Sequence, residues 1–422
     1  MNKAFCRIFQ FGMKVGMYFL PWRVPELLEG SGAIKQLPAL VKKQGCHKVL
    51  VCTGSYLLSH GVLDPMFAAL DAEGVGYVLC SGIPANPSDE DVERGVKLYL
   101  ENGCDSLIAF GGGSPMDACK AVAARIVQPR KTAIQLQGLL KVMKKTPPVF
   151  AVPTTSGTGS ETTIAAVITE AKTHHKASIN DPRLIPAFAV LDPELTASLP
   201  PQTTAETGLD ALCHAVECYT NNTYNTKLEK EMAEKSVRLI YDNLYEAYLH
   251  GDNIEARQNM QLAAFYAGRA FTRGCVGYVH AIGHTLGGLY GLPHGRAMGV
   301  LLPHIMRLYG SAAQERLARL AEVCGLASGA GSTADSAPAS AGAACPATAT
   351  DAEKAETFIR WIEKLKADMQ VPQFIDPIRP EDESQIIAWA MKEANPLYPT
   401  PVTWNESEFK KALRVIQGFE TV

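Results

Sequence analysis

Asp105-Ser-Leu-Ile-Ala-Phe110 runs directly into Gly111-Gly-Gly-Ser-Pro-Met-Asp117 and then into an alanine-rich stretch ending near Val127. An apolar run, three glycines and a helical pattern read as strand, tight turn and helix. Glycine lets the backbone turn sharply and approach a ligand closely. A helix over 114–127 offers free N–H groups and the positive end of its dipole, which suits a pyrophosphate. The triplet lacks the G-x-G-x-x-G spacing, and turns use glycine anyway, so alone it is a weak signal.

The same alternation extends to both sides. Residues 48–53, 77–80, 149–152 and 187–191 read as further buried strands. Ser88 heads a helix reaching residue 100, with a Ser cap and an acidic first turn. Strands alternating with helices predict a parallel sheet with crossovers. After residue 200 helical periodicity takes over, at 203–221, 227–249, 253–272, 278–290 and 312–324. The expected fold class is an α/β N-terminal dinucleotide-binding domain with a parallel sheet (1–200) plus an all-α helical C-terminal domain (201–422). Residues 327–350, rich in Ala, Ser, Gly and Thr, read as an exposed, mobile insertion. The N-terminus carries Lys3, Arg7 and Met17-Tyr-Phe-Leu20, but Gln10, Lys14 and Gly16 break its apolar stretches and no small-residue cleavage site follows. It reads as an ordinary strand or hairpin, not a signal peptide.

Size and composition narrow the function. A chain of 422 residues exceeds one ordinary core, so two domains are expected. A net charge of −3 leaves no basic surplus for nucleic acid or an anionic membrane. No apolar run reaches the roughly 20 residues that span a bilayer. Eleven cysteines, an odd number without a Cys-x-x-Cys pair, point to a reducing cytoplasm rather than a disulfide framework.

A second loop, Val152-Pro-Thr-Thr-Ser-Gly-Thr-Gly-Ser160-Glu161, places hydroxyls and glycines after another strand. Hydroxyl and backbone N–H groups donate to phosphate and ribose, although the segment also reads as a capped helix start over 160–163. Two such loops at one sheet favour a nucleotide between them.

Polar spacing in the helical half suggests a metal. Asp210 and His214 lie four apart in Gly208-Leu-Asp-Ala-Leu-Cys-His214, and His280 and His284 repeat that spacing. Residues four apart share a helix face. His294 sits in Leu292-Pro-His294-Gly295. A carboxylate and imidazoles can hold one divalent ion and leave positions open for substrate. Spacing alone leaves hydrogen-bonded core histidines an equal alternative. His304 reads as a structural helix start and His174-His175 as a solvent-facing turn. Cys213 and Cys218 are expected on other helix faces than His214.

Taken together, Gly111-Gly-Gly-Ser-Pro-Met-Asp117, Pro153-Thr-Thr-Ser-Gly-Thr-Gly-Ser-Glu161, Asp210-x3-His214 and His280-x3-His284-x9-His294-Gly295 resemble the iron-dependent (group III, metal-containing) alcohol dehydrogenases. The resemblance spans residues 20–420, with the motifs in family order. It implies an active site in the cleft between the domains and reversible NAD(P)-dependent oxidation of a small alcohol to an aldehyde or ketone. By the same resemblance Asp210, His214, His280 and His294 bind Fe²⁺, or Zn²⁺ in some members. His284 stands near the substrate, as a proton relay or as an orienting residue. Gly112, Gly113, Ser114 and Asp117 match the pyrophosphate loop. Thr154, Thr155 and Ser160 match contacts near the phosphates and nicotinamide ribose, Asn86 the adenosine part and Lys176 the ribose region. Relatives of this kind are usually dimers or higher homo-oligomers.

One position departs from the pattern. NAD-preferring members often carry an Asp after the strand that ends here at Cys52-Thr53, and this chain has Gly54 followed by Ser55. Without the carboxylate a 2′-phosphate is not repelled, and Ser55 can donate to it, so NADP is expected to be accepted. No Arg or Lys close in sequence offers a clamp. A dehydroquinate-synthase-like lyase would need more cations near the metal motifs than Arg269, Arg273 and Arg296. A glycerol-dehydrogenase-like polyol oxidoreductase typically uses three ligands, and four candidates are present here. An inactive scaffold would have no use for both loops and all four ligands.

Overall fold

The computed structural model describes residues 3–173, 175–327, 344–346 and 348–421. Two compact units form, one of Leu20–Ser198, the other of Met1–Phe19 with Leu199–Val422. Residues 3–19 therefore group with the helical unit and not with the α/β unit that follows them. They also correct an expectation. Residues Lys3–Met17 form helix α1 rather than a strand or hairpin. Its polar side holds it in place. Gln10 Nε2 donates to the Pro396 and Tyr398 carbonyls at 3.0 and 2.9 Å, and Arg7 Nη2 donates to those of Thr400 and Pro401. Anchoring by partners at the far end of the chain overrides Gly12 and Gly16.

The α/β unit contains strands β1 (Glu26–Glu29), β2 (Lys48–Thr53), β3 (Gly76–Cys80), β4 (Ser106–Gly111), β5 (Gly138–Leu139), β6 (Val149–Pro153), β7 (Ala165–Thr169), β8 (Lys176–Asn180) and β9 (Phe188–Leu191). Six make one parallel sheet in the order β1-β9-β6-β4-β2-β3, and β5-β8-β7 form a smaller one. Helices α2 (Ala33–Lys43), α3 (Ser55–Ser59), α4 (Asp64–Glu73), α5 (Asp89–Glu101), α6 (Gly113–Val127) and α7 (Ala133–Leu136) connect the strands.

Alternate strand residues feed two separate cores. Leu50, Cys52, Leu107, Ala109, Val149 and Ala151 pack on one side of the sheet; Val49, Val51, Ile108, Phe110, Phe150 and Val152 pack on the other. Burial on both faces explains why the central strands read as unbroken apolar runs. The register then positions the loops. Thr53 lies opposite Phe110, and Gly111 opposite Pro153. The carboxyl ends of β2, β4 and β6 thus stand level, and Gly54, Gly112 and Thr154 emerge side by side where such sheets bind ligands.

The helical unit comprises α8 (Pro201–Thr220), α9 (Lys227–Leu249), α10 (Ile254–Gly274), α11 (Tyr278–Tyr290), α12 (His294–Tyr309), α13 (Ser311–Val323), α14 (Asp351–Asp368), α15 (Glu383–Ala394) and α16 (Glu406–Ile416). Helix α8 is buried along most of its length and packs against α9, α10 and α12. His304 lies well inside α12, not at a helix start, and its Nε2 is 2.9 Å from the Gln373 carbonyl. Within 327–350, residues 328–343 and 347 lie outside the described residues, as does His174; His175 is exposed. No helix among the described residues is long and apolar enough to cross a membrane.

Candidate active site

Helix α8 supplies Asp210, His214 and, one turn further, Glu217, all buried. The first turn of α11 brings His280 to them, and His294 is the first residue of α12. Gly295 is what permits that last approach, because a Cβ there would stand 2.2 Å from the Glu206 carbonyl oxygen. From Asp210 Oδ1, His294 Nε2 is 3.2 Å away, His214 Nδ1 3.8 Å and His280 Nε2 3.9 Å. One ligand atom from each of the four lies within 4.8 Å of all the others. Ligand–metal distances of about 2.0–2.2 Å place donors roughly 3–4 Å apart around a shared ion. The three distances from Asp210 meet that spacing.

Hydrogen bonding supports the same reading. Asp210 Oδ1, His214 Nδ1 and His280 Nε2 are buried without a well-directed partner among the described residues. Buried polar atoms are rarely left so, and here all three face one point. Burial pushes His214 down to about 3 and His280 well below the usual histidine range, so both are neutral and have a lone pair to give. Burial opposes ionisation of Asp210, but the imidazoles, His214 foremost, hold it well below the ordinary carboxylate range. A neutral-imidazole, ionised-carboxylate set is the protonation state a divalent metal requires.

Glu217 was not named from the sequence, yet it organises the site. Its carboxylate accepts from His280 Nδ1 at 2.6 Å and from the Gly277 and Val279 amides at 2.9 and 2.7 Å. Those amides open α11, where N–H groups lack helical partners. Receiving the Nδ1 proton fixes the tautomer of His280 and leaves the Nε2 lone pair facing Asp210. Burial pushes the Glu217 carboxyl up to about 7 against the pull of the amides. Its spacing of seven from Asp210 on one helix was the available signal. Cys213 is not one of the four clustered side chains, but its Sγ is 3.8 Å from His280 Nδ1. It lies beside the Glu217 bond, and burial raises the thiol far above its usual value, so it stays protonated.

His284 flanks the cluster without joining it. Its ring stacks 5.3 Å from that of His294, it is half-exposed, and its Nδ1 is 2.7 Å from Glu393 Oε1. The Tyr398 hydroxyl donates to the same oxygen at 2.9 Å. Burial opposes ionisation of Glu393, but His284 and Tyr398 lower it below the usual range. Nothing in the sequence linked Glu393 to a histidine so far along the chain.

In the α/β unit, α6 follows Gly112, which caps it without a side chain and leaves its first N–H groups open. A Cβ at Gly113 would meet Thr158 Cγ2 at 3.0 Å, and one at Gly112 would meet Thr155 Oγ1 at 3.4 Å. The two loops thus touch, and the missing side chains of Gly112 and Gly113 are what lets Thr155 and Thr158 pack so close. Thr154 is buried, its amide bonded to the Gly111 carbonyl at 3.1 Å, and the Ser114 hydroxyl bonds the Ala85 carbonyl. Asp117 and Ser160, expected to face phosphate, turn inward to each other. Asp117 Oδ1 accepts from Ser160 Oγ at 2.9 Å and Oδ2 from the Val167 amide at 3.0 Å. The unforeseen Lys120, fully buried, reaches Ser160 Oγ, Thr163 Oγ1 and the Thr163 and Ala165 carbonyls. Burial pushes it down to about 8. At the surface Lys176 Nζ donates to Asn86 Oδ1 at 3.0 Å. Gly54 is extended (φ −83°) and Ser55 is exposed beside it.

Residues 25–193 match the family model described as "Iron-containing alcohol dehydrogenase", and 204–416 match "Fe-containing alcohol dehydrogenase family, C-terminal". The chain is 34% identical to a 1,3-propanediol dehydrogenase of Citrobacter freundii over 389 residues, 91% of this chain and 95% of that one. It is 36% identical to an NAD-dependent methanol dehydrogenase of Bacillus methanolicus over 309 residues, 73% of this chain and 80% of the other. A solved 1,3-propanediol oxidoreductase superposes with a TM-score of 0.86 at 31% identity, covering 94% of this chain and 100% of its own.

Proposed function

This chain belongs to the iron-containing alcohol dehydrogenase family and is a metal-dependent alcohol dehydrogenase or aldehyde reductase, and we propose that Asp210, His214, His280 and His294 are its metal ligands. The observation that carries this is the convergence of three orphaned buried atoms, Asp210 Oδ1, His214 Nδ1 and His280 Nε2, on one point beside His294. We assign the resident ion as Fe²⁺, with Zn²⁺ able to occupy the same nitrogen and carboxylate donors. When bound, the ion supplies Lewis acidity toward the substrate oxygen.

The remaining work falls to the chain's own groups. The uncapped start of α6 and the bare Gly112–Gly113 backbone beside Thr155 and Thr158 suit a dinucleotide pyrophosphate. The coenzyme is NAD(H), and in our reading also NADP(H), because Gly54 brings no carboxylate to the adenosine ribose. Asp117, Ser160 and Lys120 brace the two loops from inside. Asn86 and Lys176 lie toward the adenosine end. A bound nicotinamide would supply the hydride acceptor, and oxidation of the alcohol would leave one proton to be taken up. His284, held at Nδ1 by Glu393 and open to water, takes that proton at Nε2.

Related proteins are named for 1,3-propanediol, methanol, lactaldehyde and butanol, which favours a short aliphatic alcohol or aldehyde. Eleven free cysteines suit a cytoplasmic setting. The exposed apolar row Phe5, Ile8 and Phe11 on α1 suits a homo-oligomer, which sedimentation would test. The deciding experiment loads the protein with Fe²⁺ anaerobically and follows nicotinamide absorbance with short aldehydes. Turnover that disappears on chelation and in Asp210→Ala together with the bound iron upholds the assignment. Unchanged iron content in Asp210→Ala would overturn it.

A further inference from the structure

The sequence offered no cation near Gly54 to receive a coenzyme 2′-phosphate; folding supplies one. Ser55 follows β2, and Ser81 and Gly82 follow β3, the strand paired with it. Arg94, on α5, reaches back to this corner. Its Nη1 donates to the Ser81 carbonyl at 2.9 Å and its Nη2 to Asp91 Oδ1 at 2.9 Å. Gly82 is left-handed (φ +75°), and the Cβ it lacks would stand 3.6 Å from Ser55 Oγ and 3.8 Å from Arg94 Nη1. A hydroxyl and a guanidinium therefore face the same open point, beside a Gly54 that brings no carboxylate.

We propose that Arg94 and Ser55 seat the 2′-phosphate of an NADP-type coenzyme over Gly82. This rests on the reading that the α/β unit holds a nicotinamide dinucleotide across the ends of β2, β4 and β6. In sheets of this kind the adenosine ribose lies where β2 ends. A guanidinium carries five N–H donors in a rigid fork, and Ser81 and Asp91 take two of them. The rest remain for phosphate oxygens, which Arg binds with matched geometry. Asp91 does not compete freely, because Ser88 holds its Oδ2 through both amide and hydroxyl in the cap of α5. Gly82 leaves the room that any side chain would take.

The test measures binding as well as turnover. Adenosine 2′,5′-bisphosphate and 5′-AMP, which differ by the phosphate in question, are titrated by calorimetry into wild type, Arg94→Ala and Ser55→Ala. Wild type binds the bisphosphate more tightly. Arg94→Ala cuts that margin about 10- to 100-fold, the worth of a charge-assisted hydrogen bond, and Ser55→Ala cuts it less. The ratio of kcat/KM for NADPH over NADH falls in step. Should Arg94→Ala fail to fold, Arg94→Gln, which can still donate to Ser81, replaces it. A margin that survives in a folded Arg94 variant, or no margin in wild type that still oxidises NADH, overturns this inference alone. Failure of both probes and both coenzymes to bind would instead remove the dinucleotide reading beneath it.

Discussion

Glu217→Gln is the sharpest perturbation of the metal centre, because it changes one atom of a residue that would never touch the ion. The native carboxylate accepts three hydrogen bonds: Oε1 from Val279, Oε2 from Gly277 and from His280 Nδ1. A glutamine keeps one oxygen and turns the other into a donor. If the amide nitrogen faces Val279, one buried amide loses its acceptor, at a cost of about 1–3 kcal/mol. If it faces His280, Nδ1 must become the acceptor, and the Nε2 proton then points at the metal. The first arrangement is the cheaper, and it still replaces a charged acceptor for His280 by a neutral one. Loss of such an outer partner costs about 10- to 100-fold in metal affinity. At 1.4 kcal/mol per decade that is about 1.4–2.8 kcal/mol. Chelator competition against Fe²⁺ or Zn²⁺ reads the affinity, and thermal denaturation of the metal-free protein reads the local cost. Wild-type metal affinity in a folded Glu217→Gln protein would refute the claim that the charge of Glu217 strengthens His280 as a ligand.

Further expectations concern separate parts of the site. His284→Ala should lower kcat about 10²- to 10⁴-fold, the range of a positioned acid–base group, while metal content by elemental analysis stays at the wild-type level; lost metal would make His284 a ligand. Gly295→Ala forces a Cβ toward the Glu206 carbonyl and should weaken metal binding through His294, at an overpacking cost of about 1–3 kcal/mol in denaturant melts. Lys120→Met removes the donor to Ser160 Oγ, Thr163 Oγ1 and the Thr163 and Ala165 carbonyls, leaving buried acceptors unpaired, and should cost about 1–3 kcal/mol. Lys120 also gives a pH signature. Its folded value near 8 lies below the unfolded 10.5, so between them the unfolded chain binds more protons. Wild-type stability should therefore rise relative to Lys120→Met as pH climbs through that window, and parallel pH profiles would contradict it. Gly54→Asp should shift the kcat/KM ratio toward NADH by restoring a charge that repels a 2′-phosphate.

Much of this arrangement was legible because it is local. Burial on both faces made β4 and β6 unbroken apolar runs, and helical period placed Asp210 under His214. The same periodicity gave α9 and α11 to the residue. What escaped depends on partners distant in sequence. Glu393 meets His284 only through α15, Arg94 and Ser55 both come beside Gly82 only across the β2–β3 pair, and Lys120 finds its acceptors beyond β6. The edge strand Glu26-Leu-Leu-Glu29 shows little pattern because a single neighbour, β9, pairs with it. Pro293-His-Gly reads as a turn, yet Pro293 precedes the first residue of α12, and His294 owes its place to that helix start. Asp117 and Ser160 were found as loop residues, but they bond each other, and Ser160 also takes a bond from Lys120, which sequence reasoning left inside an alanine-rich helix.

The central claim is tested most directly by a crystal of the Fe²⁺-loaded protein, measured at the iron absorption edge. The account requires one anomalous peak within about 2.0–2.3 Å of Asp210 Oδ1, His214 Nδ1, His280 Nε2 and His294 Nε2, with His284 outside bonding distance. A peak elsewhere, or a peak with any of those four atoms turned away, would contradict it.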